Sequence, residues 1–165
     1  MLLICTASHG KNKDLADTIR SHASAAGVDC ALCDLTEYSI PLYTSRSDDT
    51  DADVDALEAL FKSAKAFFVL APEYNGSIPP SLTNAIAWLS TRSSDFRALF
   101  NGKPLAIGTH SGGQGQKVLI AMRIQFAHLG CHVMGRELLT SSSRPVNPAS
   151  IDAILSEIRT LGRLE

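Results

Sequence analysis

The chain has 165 residues, of which 45% are hydrophobic and 19% are charged, and its formal net charge is −2. This length predicts one domain spanning 1–165, and the composition excludes a disordered chain. Without an excess of basic residues we expect no nucleic-acid partner, and because no apolar segment approaches the roughly 20 residues that span a bilayer we expect no membrane partner and a cytoplasmic location.

Apolar runs alternate with segments of helical periodicity along the whole chain. In chain order the sequence predicts strand 2–7, helix 12–27, strand 28–35, an irregular stretch 36–51, helix 51–65, strand 66–71, a helix after Pro79 and Pro80, strand 103–110, helix 115–130, strand 131–139 and helix 147–165. Strand–helix alternation repeated five times predicts an α/β fold, with a doubly wound five-stranded parallel sheet and helices on both faces. Such sheets favour the strand order 2-1-3-4-5, with a ligand at the crevice between strands 1 and 3.

The three most unusual loops follow strands 1, 3 and 4. They read TASHGKN (6–12), PEYNGSIPP (72–80) and HSGGQG (110–115). In the predicted strand order these loops lie side by side on one edge of the sheet. The sequence therefore predicts a binding site at that edge.

The first loop combines small hydroxyl side chains with the start of a helix. Free N–H groups at a helix N-terminus suit a phosphate, whereas helix capping by Ser8 or Asn12 is the alternative. The loop lacks the Gly-Lys-Ser/Thr of a P-loop and the G-x-G-x-x-G of a dinucleotide site.

The loop at 110–115 has consecutive glycines, which allow the backbone to approach a flat ligand closely. A hydrolase is the alternative, because Ser111 stands between a strand and a helix. However, Thr109 replaces the first glycine of G-x-S-x-G, and no acid presents itself as a third catalytic member.

Three other patterns predict structure rather than chemistry. The acidic run 48–55 lacks the glycine and glutamate that a calcium loop requires, so we interpret it as the start of a helix. His128 and His132 are separated by Gly130, which interrupts a helical metal pair. Cys30 and Cys33 lie in a predicted strand and are expected to be reduced core residues.

The segment 72–89 resembles the NAD(P)H-dependent FMN reductase family, which is flavodoxin-like and includes quinone, chromate and azo-dye reductases. The family carries P-E-Y-N-x-S/G-x-P followed by K-N-A-I-D-W-L/A. In this chain the pattern comprises Pro72, Glu73, Tyr74, Asn75, Gly76, Ser77, Ile78 and Pro79, then Asn84, Ala85, Ile86, Ala87, Trp88 and Leu89. Thr83 and Ala87 replace the family's lysine and aspartate, and the Ser-Gly-Gly loop after strand 4 also belongs to the pattern.

The resemblance implies that these loops bind FMN. Backbone N–H groups of the 72–77 loop would face the pyrimidine edge and N5 of the flavin, and Tyr74 would flank the ring or the substrate pocket. The family's first loop often has an arginine near the FMN phosphate, which this chain lacks. The implied cofactor-binding residues are Ser8, His9, Lys11, Asn12, Pro72, Glu73, Tyr74, Asn75, Gly76, Ser77, Ser111, Gly112, Gly113 and Gln114.

The resemblance further implies an FMN-dependent oxidoreductase with NADPH or NADH as co-substrate. Hydride would pass to FMN and on to free flavin, a quinone or a similar small-molecule acceptor by ping-pong kinetics, with no catalytic side chain and no metal. A homodimer or homotetramer is also implied. Two other classes remain open: a flavodoxin-like electron carrier without NAD(P)H activity, and a cofactor-free binding or regulatory protein of the same fold.

Overall fold

The structure is a computed structural model that describes residues 1–44, 47 and 51–164. Its strands are β1 Leu2–Thr6, β2 Cys30–Asp34, β3 Ala66–Leu70, β4 Pro104–His110, β5 His132–Val133 and β6 Leu138–Thr140. Its helices are α1 Lys11–Ala25, α2 Ala52–Ser63, α3 Pro80–Thr91, α4 Gln116–His128 and α5 Pro148–Gly162, and a 3₁₀ turn covers Leu35–Glu37.

The sheet is parallel throughout and follows the order β2-β1-β3-β4-β5. This confirms the predicted fold class and strand order. All residues of β1 and β3 are buried, because both faces of a doubly wound sheet are covered by helices.

Two apolar cores sit on opposite faces of the sheet. Side chains alternate along each strand, so Leu3 and Cys5 join one core while Leu2 and Ile4 join the other. The first core contains the apolar faces of α2, α3 and α4, and the second contains those of α1 and α5. The carboxyl ends of the strands remain uncovered at one edge.

The predicted fifth strand, 131–139, is wrong in its continuity. β5 and β6 both pair with β4 on the side away from β3. Between the pairs Leu105–Val133 and Gly108–Leu138, β4 advances by three residues and the edge strand by five. The interruption is therefore a bulge of two extra residues, which an edge strand tolerates because no strand pairs with its outer side. Arg123 helps to hold the bulge, since its guanidinium donates to the carbonyl of Met134 at 2.8 Å.

The predicted irregular stretch 36–51 includes residues 45, 46 and 48–50, which lie outside the described residues. At its end Asp51 caps α2 by accepting from the backbone N–H of Asp53 and Val54. Cys33 lies opposite Cys5 in the register of β2 and β1, whereas Cys30 packs against the core on the other face, so the C-x-x-C residues do not form a pair. Within the described part of the chain no helix is long and apolar enough to cross a membrane.

Candidate functional site

Three loops meet at the carboxyl edge of the sheet, and side chains hold them together. The amide of Asn12 donates to the carbonyl of His110 at 3.0 Å and accepts from its N–H at 2.8 Å. Ser111 Oγ accepts from the N–H of Glu73 at 2.9 Å, and Ser81 Oγ donates to the carbonyl of Ala7 at 2.6 Å. Each pair of loops is thus joined by at least one side chain, and we call these three contacts the loop ties.

The loop between β1 and α1 presents a run of free backbone donors. Ala7 N–H donates to the carbonyl of Leu70, and helical bonding resumes with Asp14 N–H donating to Gly10. No acceptor among the described residues takes an N–H of 8–13, and α1 has no side-chain cap. Capping by Ser8 or Asn12 is therefore not what this structure shows. Uncapped N–H groups at the positive end of a helix dipole are the donor set that binds phosphate.

The side chains of this loop occupy different environments. Ser8 is buried, and its hydroxyl has no hydrogen-bond partner in the described structure. Lys11 is exposed and forms an ion pair with Asp14 at 3.3 Å. Asn12 is only 3% exposed because its amide is committed to the loop tie with His110. Among these residues Ser8 and Lys11 have side-chain donors that are accessible to a ligand, and Asn12 can offer its backbone N–H.

His9 is oriented by a carboxylate at the end of the neighbouring strand. Its Nδ1 lies 3.0 Å from Asp34 Oδ2 and 3.2 Å from Thr36 Oγ1. Thr36 already donates its hydroxyl hydrogen to Asp34 Oδ1 at 2.7 Å, and a carboxylate only accepts. Nδ1 therefore carries the hydrogen and Nε2 is directed away from this pair, on a side chain that is 76% exposed. Asp34 was missed by the sequence reasoning, although a polar residue ending a buried strand beside β1 was the signal for it.

The loop after β3 contains a two-residue reverse turn. Tyr74 and Ser77 exchange backbone hydrogen bonds of 3.0 and 2.9 Å, and Asn75 and Gly76 between them have φ of 51° and 74°. Two central residues with positive φ define a type I′ turn, for which Asn-Gly is the preferred sequence. The turn leaves the N–H groups of Asn75 and Gly76 without a described acceptor, and the Tyr74 side chain is half exposed beside them.

Glu73 connects this loop to the start of α4. Its carboxylate accepts from the N–H of Lys117 at 3.2 Å, where a negative charge is favoured by the helix dipole. This contact gives the glutamate of the PEYNG sequence a structural role. Pro72 is buried before it, and Ser77 is exposed at the far end of the turn.

The loop after β4 is anchored at its ends and open in the middle. Ser111 is 5% exposed and its Oγ lies 2.8 Å from Thr109 Oγ1 as well as in the loop tie to Glu73. Gly112, Gly113 and Gln114 are exposed, and no described acceptor takes an N–H of 112–116. Ser111 is therefore a buried anchor rather than an exposed nucleophile.

The second half of the signature serves a different purpose. Asn84 accepts from the N–H of Tyr43 at 2.8 Å and donates to the carbonyl of Pro41 at 2.9 Å. Trp88 Nε1 donates to the same carbonyl at 2.7 Å, and its ring packs edge-on against Tyr43. Asn84 and Trp88 thus fasten the segment 41–43 to α3.

The donor set of this edge fits FMN. A phosphate requires clustered donors, which the open N–H groups of 8–13 provide. A flat isoalloxazine ring carries acceptors on its pyrimidine edge, and the open N–H groups of Asn75, Gly76 and 112–116 face the same region from two tied loops. No cluster of three or more metal-binding side chains occurs in the described residues.

A doubly wound sheet with tied, donor-rich loops after β1, β3 and β4 defines a flavodoxin-like protein. The chain matches the family described as NADPH-dependent FMN reductase over residues 1–144. It therefore belongs to that family, whose members are flavin-dependent oxidoreductases, and the family resemblance of its sequence is confirmed.

Curated relatives are similar over part of the chain. The quinone reductase of Escherichia coli (strain K12) is 39% identical over 77 residues, which cover 45% of this chain and 39% of that protein. The 2-hydroxy-1,4-benzoquinone reductase of Burkholderia sp. is 34% identical over 112 residues, covering 65% and 57%. The match thus spans between about two fifths and three fifths of these relatives.

Solved structures extend the fold similarity to nearly the whole chain. The flavoenzyme NAD(P)H:(acceptor) oxidoreductase FerB from Paracoccus denitrificans has a TM-score of 0.75 at 19% identity, over 98% of this chain and 94% of that chain. A flavodoxin from the domain Archaea has a TM-score of 0.70 at 16% identity, over 99% of both chains. At these identities the likeness concerns the fold alone.

Proposed function

We propose that this chain is an FMN-dependent oxidoreductase that oxidises NADPH or NADH and reduces a small-molecule acceptor by a ping-pong scheme. The observation that carries the proposal is the set of open backbone N–H groups on three tied loops at one edge of the sheet. Residues 1–165 would form a single FMN-binding domain.

Each loop would hold a different part of the cofactor. The N–H groups of 8–13 would bind the phosphate, with Ser8, His9 and Lys11 contributing side-chain donors. The turn 74–77 and the loop 111–114 would hold the ring system, while Pro72 and Glu73 position the turn from behind.

Bound FMN would supply the redox chemistry, by taking a hydride from the nicotinamide and delivering electrons to the acceptor. The contribution of this chain is binding, orientation and electrostatics. The N–H donors of Asn75, Gly76 and 112–116 are prearranged by the loop ties, so they stabilise negative charge without reorganising. Tyr74, half exposed at the tip of its turn, would line the face on which nicotinamide and acceptor alternate.

A quinone is the acceptor that we propose first, since two curated relatives are named for quinone reduction. Free flavin is the other candidate acceptor. The four cysteines are free thiols, which fits the reducing cytoplasm. We also propose a homodimer or homotetramer, as the family resemblance implies.

The first experiment is an anaerobic visible spectrum of the protein loaded with FMN. We expect the oxidised flavin band to bleach with NADPH or NADH and to return when a benzoquinone is added. A band that survives both nucleotides would instead identify an electron carrier. A protein that neither binds FMN nor gains thermal stability from it would contradict the flavin assignment altogether.

Two glycines at opposite ends of α1 give a matched test of the phosphate cradle. Gly10 has φ of 80° at the N-terminal end and Gly27 has φ of 71° beyond the C-terminal end, and an added Cβ would meet no atom within 4 Å at either. Gly10→Ala and Gly27→Ala should each lower the free energy of unfolding by about 1 kcal/mol through strain at positive φ. Only Gly10→Ala should weaken FMN binding, and it should affect riboflavin, which has no phosphate, much less. Equal FMN affinities in the two variants would place the phosphate elsewhere.

A further inference from the structure

A second polar pocket adjoins the loop after β4 on the side away from the turn 74–77. Its volume is about 340 Å³, and Gly113 and Gln114 form one wall. Its other lining residues are Gln116, Leu139, Ser141, Ser143 and Arg144. Because Gly113 and Gln114 belong to the candidate FMN loop, this pocket shares a wall with the cofactor site.

The outer wall of the pocket is a short reverse turn. Ser141 and Arg144 exchange backbone hydrogen bonds of 2.9 and 3.1 Å, and Ser141 Oγ also accepts from the N–H of Arg144 at 3.1 Å. Ser141 Oγ and Ser143 Oγ lie 3.2 Å apart. The turn is therefore held by backbone contacts, so that its hydroxyl and guanidinium groups remain available to a ligand.

Arg144 is the cation of this pocket, and the protein does not neutralise it. Within residues 1–44, 47 and 51–164 its guanidinium forms no hydrogen bond or ion pair, and the contacts of Arg144 are those of its backbone. The other arginine of the neighbouring strand region with a charged partner, Arg123, is committed to Glu137 at 2.7 Å. No carboxylate is among the described residues that line the pocket.

We propose that Arg144, with the hydroxyls of Ser141 and Ser143, forms the phosphate subsite of the nicotinamide dinucleotide that reduces the flavin. A guanidinium offers paired N–H donors that match two phosphate oxygens, and hydroxyls complete the donor set. The inference rests on the proposed function, since only a dinucleotide whose nicotinamide reaches the flavin would place a phosphate in the adjoining pocket. The phosphate is either the 2′-phosphate of NADPH or the pyrophosphate that NADPH and NADH share.

Redox-inert nucleotides test binding separately from catalysis. The FMN-loaded protein is titrated calorimetrically, at low salt, with 2′,5′-ADP and with 5′-AMP, which lacks the 2′-phosphate. For Arg144→Ala we expect 2′,5′-ADP binding to weaken by about tenfold to a hundredfold, the range for a lost charge-assisted hydrogen bond. Arg144→Lys, which keeps the charge but loses the planar pair of donors, should fall between the two. Added salt should reduce the advantage of the native protein, because the site is exposed.

Arg136→Ala is the matched control. Arg136 is exposed, precedes β6 rather than following it, and does not line the pocket. It removes the same charge, so an effect confined to Arg144→Ala cannot come from net charge. Both variants should keep the FMN affinity and melting temperature of the native protein, which excludes a structural cause.

Rapid-mixing measurements of flavin bleaching identify the phosphate. If Arg144→Ala raises the half-saturating concentration of NADPH but not of NADH, the subsite holds the 2′-phosphate. Equal increases for both nucleotides support the subsite and identify the pyrophosphate. If Arg144→Ala matches Arg136→Ala with both nucleotides and with 2′,5′-ADP, the proposal is overturned. Should the native protein show no bleaching at all, the proposed function fails, and the calorimetric comparison alone decides the phosphate subsite.

Discussion

The two edges of the sheet solve the same problem of loop connection in opposite ways. At the amino edge the backbone makes the connections: Leu2 N–H donates to Asp29 at 2.8 Å, Lys65 N–H to Met1 at 3.0 Å and His132 N–H to Lys103 at 2.9 Å. At the carboxyl edge Asn12, Ser81 and Ser111 make them with side chains, and the N–H groups of the loops stay open. Backbone groups that are spent on stability are not available to a ligand, so the difference marks the carboxyl edge as the binding edge.

The largest effect that would sharpen this contrast is expected from the tie between Asn12 and His110. Asn12→Ala leaves a buried N–H and a buried carbonyl unpaired, which should cost about 2–4 kcal/mol of stability. We also expect FMN affinity to fall at least tenfold, because two of the three loops lose their connection. Chemical denaturation and fluorescence titration with FMN measure the two quantities.

Asn84→Ala is the control for that change, because it also removes two amide bonds to a distant backbone segment. It lies outside the loop ties and should therefore destabilise the protein while leaving FMN affinity within about twofold. If Asn84→Ala weakens FMN as much as Asn12→Ala does, the loss reflects general destabilisation and the loop ties have no special role.

At the amino edge the expected effect is on alkaline stability alone. Burial raises the pKa of the Cys131 thiol to about 12, against an ordinary value of 9.0. Folding therefore favours the protonated thiol: this contribution is fully present below pH 9 and is lost as the pH rises toward 12. At pH 10.5 native protein should have lost about 2 kcal/mol that Cys131→Ala does not lose. Burial lowers the pKa of the neighbouring Lys103, and its contribution has the opposite sign.

The measurement is denaturant unfolding at pH 8 and pH 10.5 under reducing conditions, and the result is the difference between the two proteins. FMN affinity should not distinguish them at pH 8. A native protein and a Cys131→Ala variant that lose equal stability over this range would show that Cys131 is accessible to solvent in the folded state.

A smaller effect is expected from two glycines with the same backbone strain. Gly76→Ala places a Cβ at φ of 74° in the type I′ turn, and Gly102→Ala does so at φ of 75° at the amino edge. Neither Cβ clashes, since the nearest atom to Gly76 is Lys117 Cδ at 3.4 Å and none lies near Gly102. Each should lose about 1 kcal/mol, but only Gly76→Ala should weaken FMN, by several-fold. Similar FMN affinities would remove the 74–77 turn from the cofactor site.

The smallest effect is expected from Lys11. Its ion pair with Asp14 is exposed, so Lys11→Ala should change stability by less than about 0.5 kcal/mol. FMN binding should weaken a few-fold at low salt and riboflavin binding should not change, because only FMN has a phosphate. Lys65→Ala, an exposed lysine at the amino edge, is the matched control and should affect neither ligand.

Much of the carboxyl edge could be predicted from the sequence. Buried strands such as Ala66–Leu70 are continuous apolar runs, and the helices after them show their apolar faces at helical spacing. Strict alternation of the two leads to one common topology, which places the loops after β1, β3 and β4 together. Asn75-Gly76 likewise predicts its own turn, since few other pairs adopt positive φ twice in succession.

The use of particular side chains could not be predicted in the same way. Asn12 bonds to a backbone group 98 residues away, and nothing local distinguishes this role from helix capping or phosphate binding. Asp34 orients His9 only because β2 and β1 are neighbours, and Arg144 lines a pocket only because the turn 141–144 folds beside the loop after β4. The bulge between β5 and β6 also depends on the guanidinium of Arg123, which comes from another element.

The sequence by itself determined the layered sheet, its strand order and the edge at which a ligand binds, because periodicity and turn chemistry act over a few residues. The tertiary structure alone decided which N–H groups stay open, which side chains are used as ties and which cation remains unpaired. These depend on contacts between residues far apart in the chain, and a polar group's availability is known only when every competing partner has been placed.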